Sequence, residues 1–206
     1  MAATWVFDVN ETLLDLRALD GAVFGGDAAL RGRWFSQMIQ CALVTTLLGG
    51  YRPFGELGAA ALAMVAPEAS PDALRSGLAS LPPHPDVRPA LEALRGRGDR
   101  LAALTQSKAD VLAQQLGNAG IEDLFDAQFS ADDAGRLKPA PAPYRYACAQ
   151  LGVAPGEATM VAAHAWDVAG AAAAGLQTVL VARPGVVPDP SQPAPGRVVE
   201  TLAALP

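Results

Sequence analysis

At 206 residues, with 51% hydrophobic and 17% charged side chains, the chain is long enough for one core with a sizeable insertion or for two small domains, and its balance excludes a disordered polypeptide. A net charge of −6, with no run of Lys or Arg, argues against nucleic acid or an anionic membrane surface as partner. Residues 1–7 are too short and too soon interrupted by Asp8 for a signal peptide, and no long uninterrupted apolar stretch follows, so the expectation is a cytoplasmic protein.

Thr4-Trp5-Val6-Phe7 is a short apolar run ending at Asp8, the composition of a buried parallel strand running into a polar loop. Residues 14–83 then carry only helical patterns, at 27–48, 54–65 and 71–81, closed by the stiff Leu81-Pro82-Pro83-His84-Pro85. Such an all-helical insertion after the first strand predicts a cap over the strand ends, with 1–13 and 84–206 as the core and 14–83 as the cap. The apolar Trp34, Phe35, Met38 and Tyr51 belong either to a lid facing the core or to the interior of the cap itself. His84 is expected to serve only the linker.

Beyond the linker, helical stretches at 87–97, 108–120, 141–152 and 167–175 alternate with strand-like runs at 101–104, 158–163 and 178–182. The Pro-rich tail at 184–196 reads as irregular and 198–205 as a last short helix. Alternation of this kind predicts an α/β, Rossmann-like doubly wound parallel sheet, with ligands at the carboxyl ends of the strands. Cys41 and Cys148 are the only cysteines; both fall in helical stretches without metal-ligand spacing and are expected as small buried apolar residues.

Asp8 is the strongest chemical signal. A carboxylate one step beyond a buried strand can act as a nucleophile that forms an ester or an acyl phosphate; taken alone, it could equally be a cap. The other strand ends favour the nucleophile. Thr105 closes the second run, Lys138 precedes Pro139 in a connection, and Asp167 follows the third run. A lysine between two carboxylates keeps a nucleophile ionised, and a threonine hydroxyl can donate a hydrogen bond.

In that order, Phe7-Asp8-Val9-Asn10-Glu11-Thr12-Leu13, Leu104-Thr105-Gln106, Lys138-Pro139 and the segment 160–171 resemble the four motifs of the haloacid dehalogenase (HAD) superfamily, over nearly the whole chain. His164-Ala165-Trp166-Asp167 is similar to the fourth motif of the type II 2-haloacid dehalogenases, and Tyr144, six after Lys138, matches a tyrosine of their active site. The resemblance implies a covalent ester at Asp8, hydrolysed by water. It further implies a small carboxylate substrate lying among Asn10, Phe35, Thr105, Gln106, Tyr144 and Trp166, with Asp8, Lys138, His164 and Asp167 as the catalytic group.

Departures narrow the reading. HAD phosphatases carry a second Asp where this chain has Asn10, and an amide cannot protonate a leaving alcohol. The fourth motif lacks their extra acidic residue, and magnesium wants several oxygen ligands; no metal and no cofactor are expected. The halide-binding Arg of the dehalogenases falls at Phe35, with Arg31 and Arg33 as substitutes only if the helix register slips, and Ala163 and His164 replace a Ser-Asn pair. A group similar to this sequence opens the strained ring of L-azetidine-2-carboxylate by carboxylate attack on carbon. There His164 could handle a proton of the leaving nitrogen or act as a base toward the ester. The competing readings are a magnesium-dependent HAD phosphatase and a catalytically silent binding protein; apolar helices of the insertion permit a homodimer.

Overall fold

The computed structural model describes residues 2–206. Strand β1 (Thr4–Phe7) is buried along its whole length, because it lies inside a six-stranded sheet of order β3-β2-β1-β4-β5-β6 in which every pairing is parallel. The remaining strands are β2 (Arg100–Thr105), β3 (Ala127–Ser130), β4 (Ala158–Ala162), β5 (Gln177–Val181) and β6 (Arg197–Val199). With no solvent-facing side, a central parallel strand is apolar throughout rather than alternating.

Alternate residues of each strand feed opposite layers. Trp5, Phe7, Leu101, Ala103 and Val161 join a cluster with α5 (Val87–Gly96) and α6 (Ala109–Asn118), which extends without a break into the insertion through Leu14, Trp34, Leu62 and Leu81. Val6, Ala102, Leu104, Met160 and Ala162 join the opposite cluster, under α7 (Pro141–Leu151) and α8 (Ala165–Ala174). Gly152 and Gly175, both at positive φ, close α7 and α8 in the left-handed conformation that glycine adopts without a Cβ clash.

The insertion holds α1 (Leu19–Val23), α2 (Ala28–Leu47), α3 (Phe54–Val65) and α4 (Pro71–Ala79). Asp27 and Ser70 start α2 and α4 by accepting from the amides of Leu30 and Ala73, which satisfies donors that the first turn leaves free. The chain leaves and returns along neighbouring backbones: Asp15 N–H donates to Pro82 O at 2.8 Å and His84 N–H to Leu13 O at 2.9 Å. At the far end Tyr51 bonds to Asp132, and Arg136 reaches the carbonyl of Gly50 at 3.1 Å, tying the α2–α3 loop to the turn after β3.

Several expectations need correction. Strands β3 and β6 have no counterpart in the sequence reading. Residues 197–199 are a strand followed by a 3-10 turn at Leu202–Ala204, not a helix. Both strands are sheet edges with exposed or half-buried positions, so neither presents the continuous apolar run of a central strand. Helix α1 was not expected, α4 stops at Ala79, and α8 starts at Ala165, so Asp167 sits inside its first turn. Cys148 is buried but Cys41 is only half-buried, since it lies on the flank of α2.

Candidate active site

Parallel register brings the site together. Phe7 stands level with Ala103 of β2 and Val161 of β4, so Asp8, Thr105 and His164 emerge at one edge of the sheet. In this strand order the chain direction of the crossovers reverses between β1 and β4, which opens a crevice at their carboxyl ends. Asp8 N–H still donates to Val161 O at 3.0 Å, fixing where the aspartate side chain begins.

Asp8 is nearly buried. Its Oδ1 accepts from Lys138 Nζ at 2.9 Å and its Oδ2 from the Thr12 hydroxyl at 2.7 Å. Thr12 Oγ1 also accepts from Ala163 N–H at 2.9 Å, so its single proton is committed to Asp8. Burial alone would raise the Asp8 pKa, but the Lys138 ammonium, His164 and the Thr12 hydroxyl outweigh it and hold the carboxyl well below the ordinary range.

Lys138 is fully buried, with Asp167 Oδ2 at 2.9 Å on its other side. Burial opposes its charge, yet Asp167 and Asp8 keep its pKa above the ordinary value. Its backbone is clamped by Gln106, whose amide donates to Lys138 O at 3.0 Å and accepts from Lys138 N–H at 2.8 Å. Asp167 titrates higher than usual, raised by burial and by the Asp8 charge despite Lys138. The Tyr144 hydroxyl donates to Asp167 Oδ1 at 2.5 Å, and burial beside that carboxylate pushes its own pKa well up. Gly170 makes room for this packing: a Cβ there would stand 2.5 Å from Pro139 Cβ and 2.7 Å from the Tyr144 hydroxyl.

His164 lies flat between two rings, with centroids 5.1 Å from Phe35 and 5.3 Å from Trp166. Its Nε2 is 3.1 Å from Glu11 Oε2 and its Nδ1 is 3.5 Å from Asp8 Oδ2. Burial works against protonation, but Asp8 and Glu11 outweigh it and push the imidazole up to about 9. At neutral pH both ring nitrogens therefore carry protons. The one on Nε2 goes to Glu11, whereas Nδ1 has no hydrogen-bond partner among the described residues. Glu11 adopts φ 63°, uncommon for a side chain other than glycine. Its place is held by His84 Nε2 at 3.1 Å from its carbonyl and by Arg31, which also pairs with Asp20 at 2.6 Å.

A small cavity of about 10 Å³ lies over Asp8, walled by Asn10, Phe35, Thr105, Gln106, His164 and Trp166 together with Ile39 and Phe54. Of the expected substrate contacts Tyr144 does not line this cavity, and Gln106 lines it with its amide already bonded. Tyr144 is fully buried behind the site on Asp167, and the Gln106 amide is spent on the Lys138 backbone. The Thr105 hydroxyl accepts from Ser107 N–H at 3.1 Å rather than bonding to Asp8. Phe35, not an arginine, faces the cavity; Arg31 is held by Glu11 and Asp20, and Arg33 is exposed. His84 proves to be a buried prop for the Glu11 loop rather than linker alone.

Sequence reasoning missed Glu11, Thr12 and Gly170. Thr12, four after Asp8, carried a usable signal, since a loop returning to the sheet brings that spacing within hydrogen-bond reach. A divalent cation does not fit this donor set. Lys138 fills the space between the two carboxylates, Tyr144 takes the other Asp167 oxygen, and Thr12 takes the other Asp8 oxygen.

A family model described as haloacid dehalogenase-like hydrolase matches residues 3–175. The chain is 31% identical to (S)-2-haloacid dehalogenase 4A of Burkholderia cepacia, over 89% of this chain and 84% of that one. It is 30% identical to haloacetate dehalogenase H-2 of Moraxella sp. (strain B), over 97% and 94%. The solved structure of L-2-haloacid dehalogenase from Xanthobacter autotrophicus with chloropropionic acid covalently bound superposes with a TM-score of 0.87 at 26% identity, covering 98% of this chain and 96% of that one. Family match, relatives and shared architecture agree: the chain belongs to the haloacid dehalogenase-like hydrolases, in the branch that holds the L-2-haloacid dehalogenases.

Proposed function

We propose that the chain hydrolyses a bond between C2 of a 2-substituted carboxylate and a leaving group, through an ester on Asp8. The observation that carries this reading is a nearly buried carboxylate kept ionised by Lys138 and Thr12 and opening on a cavity that also holds an imidazolium. An Asp8 oxygen attacks C2, the C2 to leaving-group bond breaks, and its electron pair departs with the leaving group. Water then attacks the ester carbonyl; the carboxylate of Asp8 is restored and a 2-hydroxy acid is released. Ester hydrolysis releases one proton, which returns to His164 where a leaving amine has taken its proton and otherwise leaves to solvent, and Lys138, held between Asp8 and Asp167, offsets the charge at each stage.

His164 serves the leaving group as an acid rather than the ester as a base, because Glu11 and Asp8 keep it protonated. Its Nδ1 proton, 3.5 Å from Asp8 Oδ2 and beside the cavity, supports a leaving group that needs one, and Phe35 in place of a cation supports the same choice. A strained cyclic amine fits, with L-azetidine-2-carboxylate as the simplest case: the C2–N bond breaks, His164 protonates the nitrogen, and 4-amino-2-hydroxybutanoate results. A halide, which needs no proton, would instead be screened by the imidazolium. In this reading residues 14–83 act as the cap, supported by the position of Phe35 over Asp8. The exposed Leu43, Val44 and Leu47 on α2, Leu48 just after it and Met64 on α3 offer a face to a second copy, testable by light scattering.

A single turnover in oxygen-18 water with EDTA, on 2-haloacids and L-azetidine-2-carboxylate, tests the reaction. Label entering the Asp8 peptide is the expected result. Absence of label with every substrate, alongside magnesium-dependent hydrolysis of p-nitrophenyl phosphate, would move the chain to the phosphatases.

A further inference from the structure

The void over Asp8 is about 10 Å³, room for roughly one water molecule, which is too little for a whole substrate. A second cavity of about 390 Å³ lies between α2, α3, α4 and α6 and shares Asn10, Phe35 and Phe54 with the first. Its other walls are largely apolar, among them Trp34, Met38, Leu74, Leu78 and Val111. Cavities of roughly 300–1,000 Å³ with apolar walls and a few polar groups are typical of sites that enclose small molecules. The divider is fixed, because the buried Gln115 amide donates to Asn10 Oδ1 at 3.1 Å and to Leu78 O at 2.8 Å.

We propose that this larger cavity seats an apolar substituent on C2, so that the leaving group lies beside His164 while an alkyl or aryl tail passes between Phe35 and Phe54. The preferred substrate is then a 2-substituted carboxylate with a tail of several carbons, rather than an acid of two or three carbons. The inference rests on the ester-forming reading above but adds a demand that reading does not make. Chemistry at Asp8 requires only room for C2, its carboxylate and its leaving group, whereas the tail requires the large cavity. A chain that left a cavity of about 390 Å³ unfilled beside its nucleophile would gain nothing from it in packing.

The test measures kcat/KM along the 2-chloroalkanoates from chloroacetate to 2-chlorooctanoate, with mass spectrometry of the Asp8 peptide at each length. About fourfold per added methylene is expected until the cavity is filled, from the usual worth of a buried methylene. Val111→Phe, which fills the cavity, should lower the ratio of long-chain to short-chain kcat/KM by at least about tenfold; Leu78→Phe provides the same measurement if that variant does not fold. An Asp8 ester on chloroacetate with a flat or falling length series would overturn the inference and leave the reaction standing. If no member forms an ester, the halide reading fails separately. Trp34 fluorescence titrated with unsubstituted alkanoates from acetate to octanoate then decides: tightening with length supports the tail seat, and equal affinities overturn it.

Discussion

Glu11 shows how a residue outside the small cavity can set the chemistry within it. Its carboxylate receives the Nε2 proton of His164, leaving the Nδ1 proton to face Asp8 Oδ2 at 3.5 Å. In Glu11→Gln that partner charge is gone, and the His164 pKa should fall from about 9 by roughly one unit or more, read by NMR titration of the ring. The sign for stability follows from linkage. His164 titrates higher in the folded chain than its ordinary 6.5, so its contribution is complete below about 6.5 and is lost as pH rises toward about 9. Asp8 is shifted the other way, so its contribution is present above the ordinary carboxylate range and disappears in acid. Urea unfolding should therefore show stability declining between pH 6.5 and 9, with a shallower decline in Glu11→Gln. Lys138→Met leaves two buried carboxylates facing each other and should cost about 3–5 kcal/mol in the same experiment, with loss of activity.

Within elements, the fit of α8 against the Lys138-Pro139 turn is the most exacting contact of the site. The Cβ of Gly170→Ala would fall 2.5 Å from Pro139 and 2.7 Å from the Tyr144 hydroxyl, so α8 or the turn must shift. A destabilisation of about 1–3 kcal/mol is expected from overpacking, with a lowered Tm and a larger loss in kcat than in KM, because Lys138 moves with its turn. Much of this architecture could be read from sequence. Runs such as Thr4-Trp5-Val6-Phe7 have one sensible home, the middle of a parallel sheet, and α3 falls on 54–65 as its pattern requires. Strands β3 and β6 escaped notice because an edge strand needs only one packed side. The gathering of Asn10, Phe35, Thr105, Gln106, His164 and Trp166 was legible because each follows a strand or lies on the helix above. Direction was not: Tyr144 turns to Asp167, and Gln106 to the Lys138 backbone, through contacts with residues tens of positions away. Glu11 depends on a positive φ that no local pattern announced.

Across the whole molecule, the insertion joins the rest of the chain through a shared apolar cluster, through bonds of Gln115 to Leu78 O and Asn118 to Ala79 O, along the neighbouring backbones at Leu13–Asp15 and Pro82–His84, and at the far end through Tyr51 and Arg136 around the α2–α3 loop. Tyr51→Phe combined with Arg136→Ala severs the far-end contact while leaving the others intact. Hydrogen exchange should then quicken over residues 49–56 with little change in β1 and β4, the pattern of a local opening rather than global loss of stability. Uniform acceleration would show instead that the two parts unfold together.

The adjacency of Leu13 and His84, joined by one hydrogen bond of 2.9 Å, means that an insertion of some seventy residues, most of them helical, leaves and rejoins the sheet at one point. Whatever replaces them needs only to begin and end at the same spot. Asp8, Lys138 and His164 stay with the sheet, while Phe35, Phe54 and most walls of the large cavity travel with the inserted helices, apart from residues such as Asn10, Val111 and Gln115. On the proposed reaction, the attacking group lies with the sheet and most of the tail contacts lie with the insertion, so a graft of the helical stretch from a relative should change chain-length preference while Asp8 stays in place.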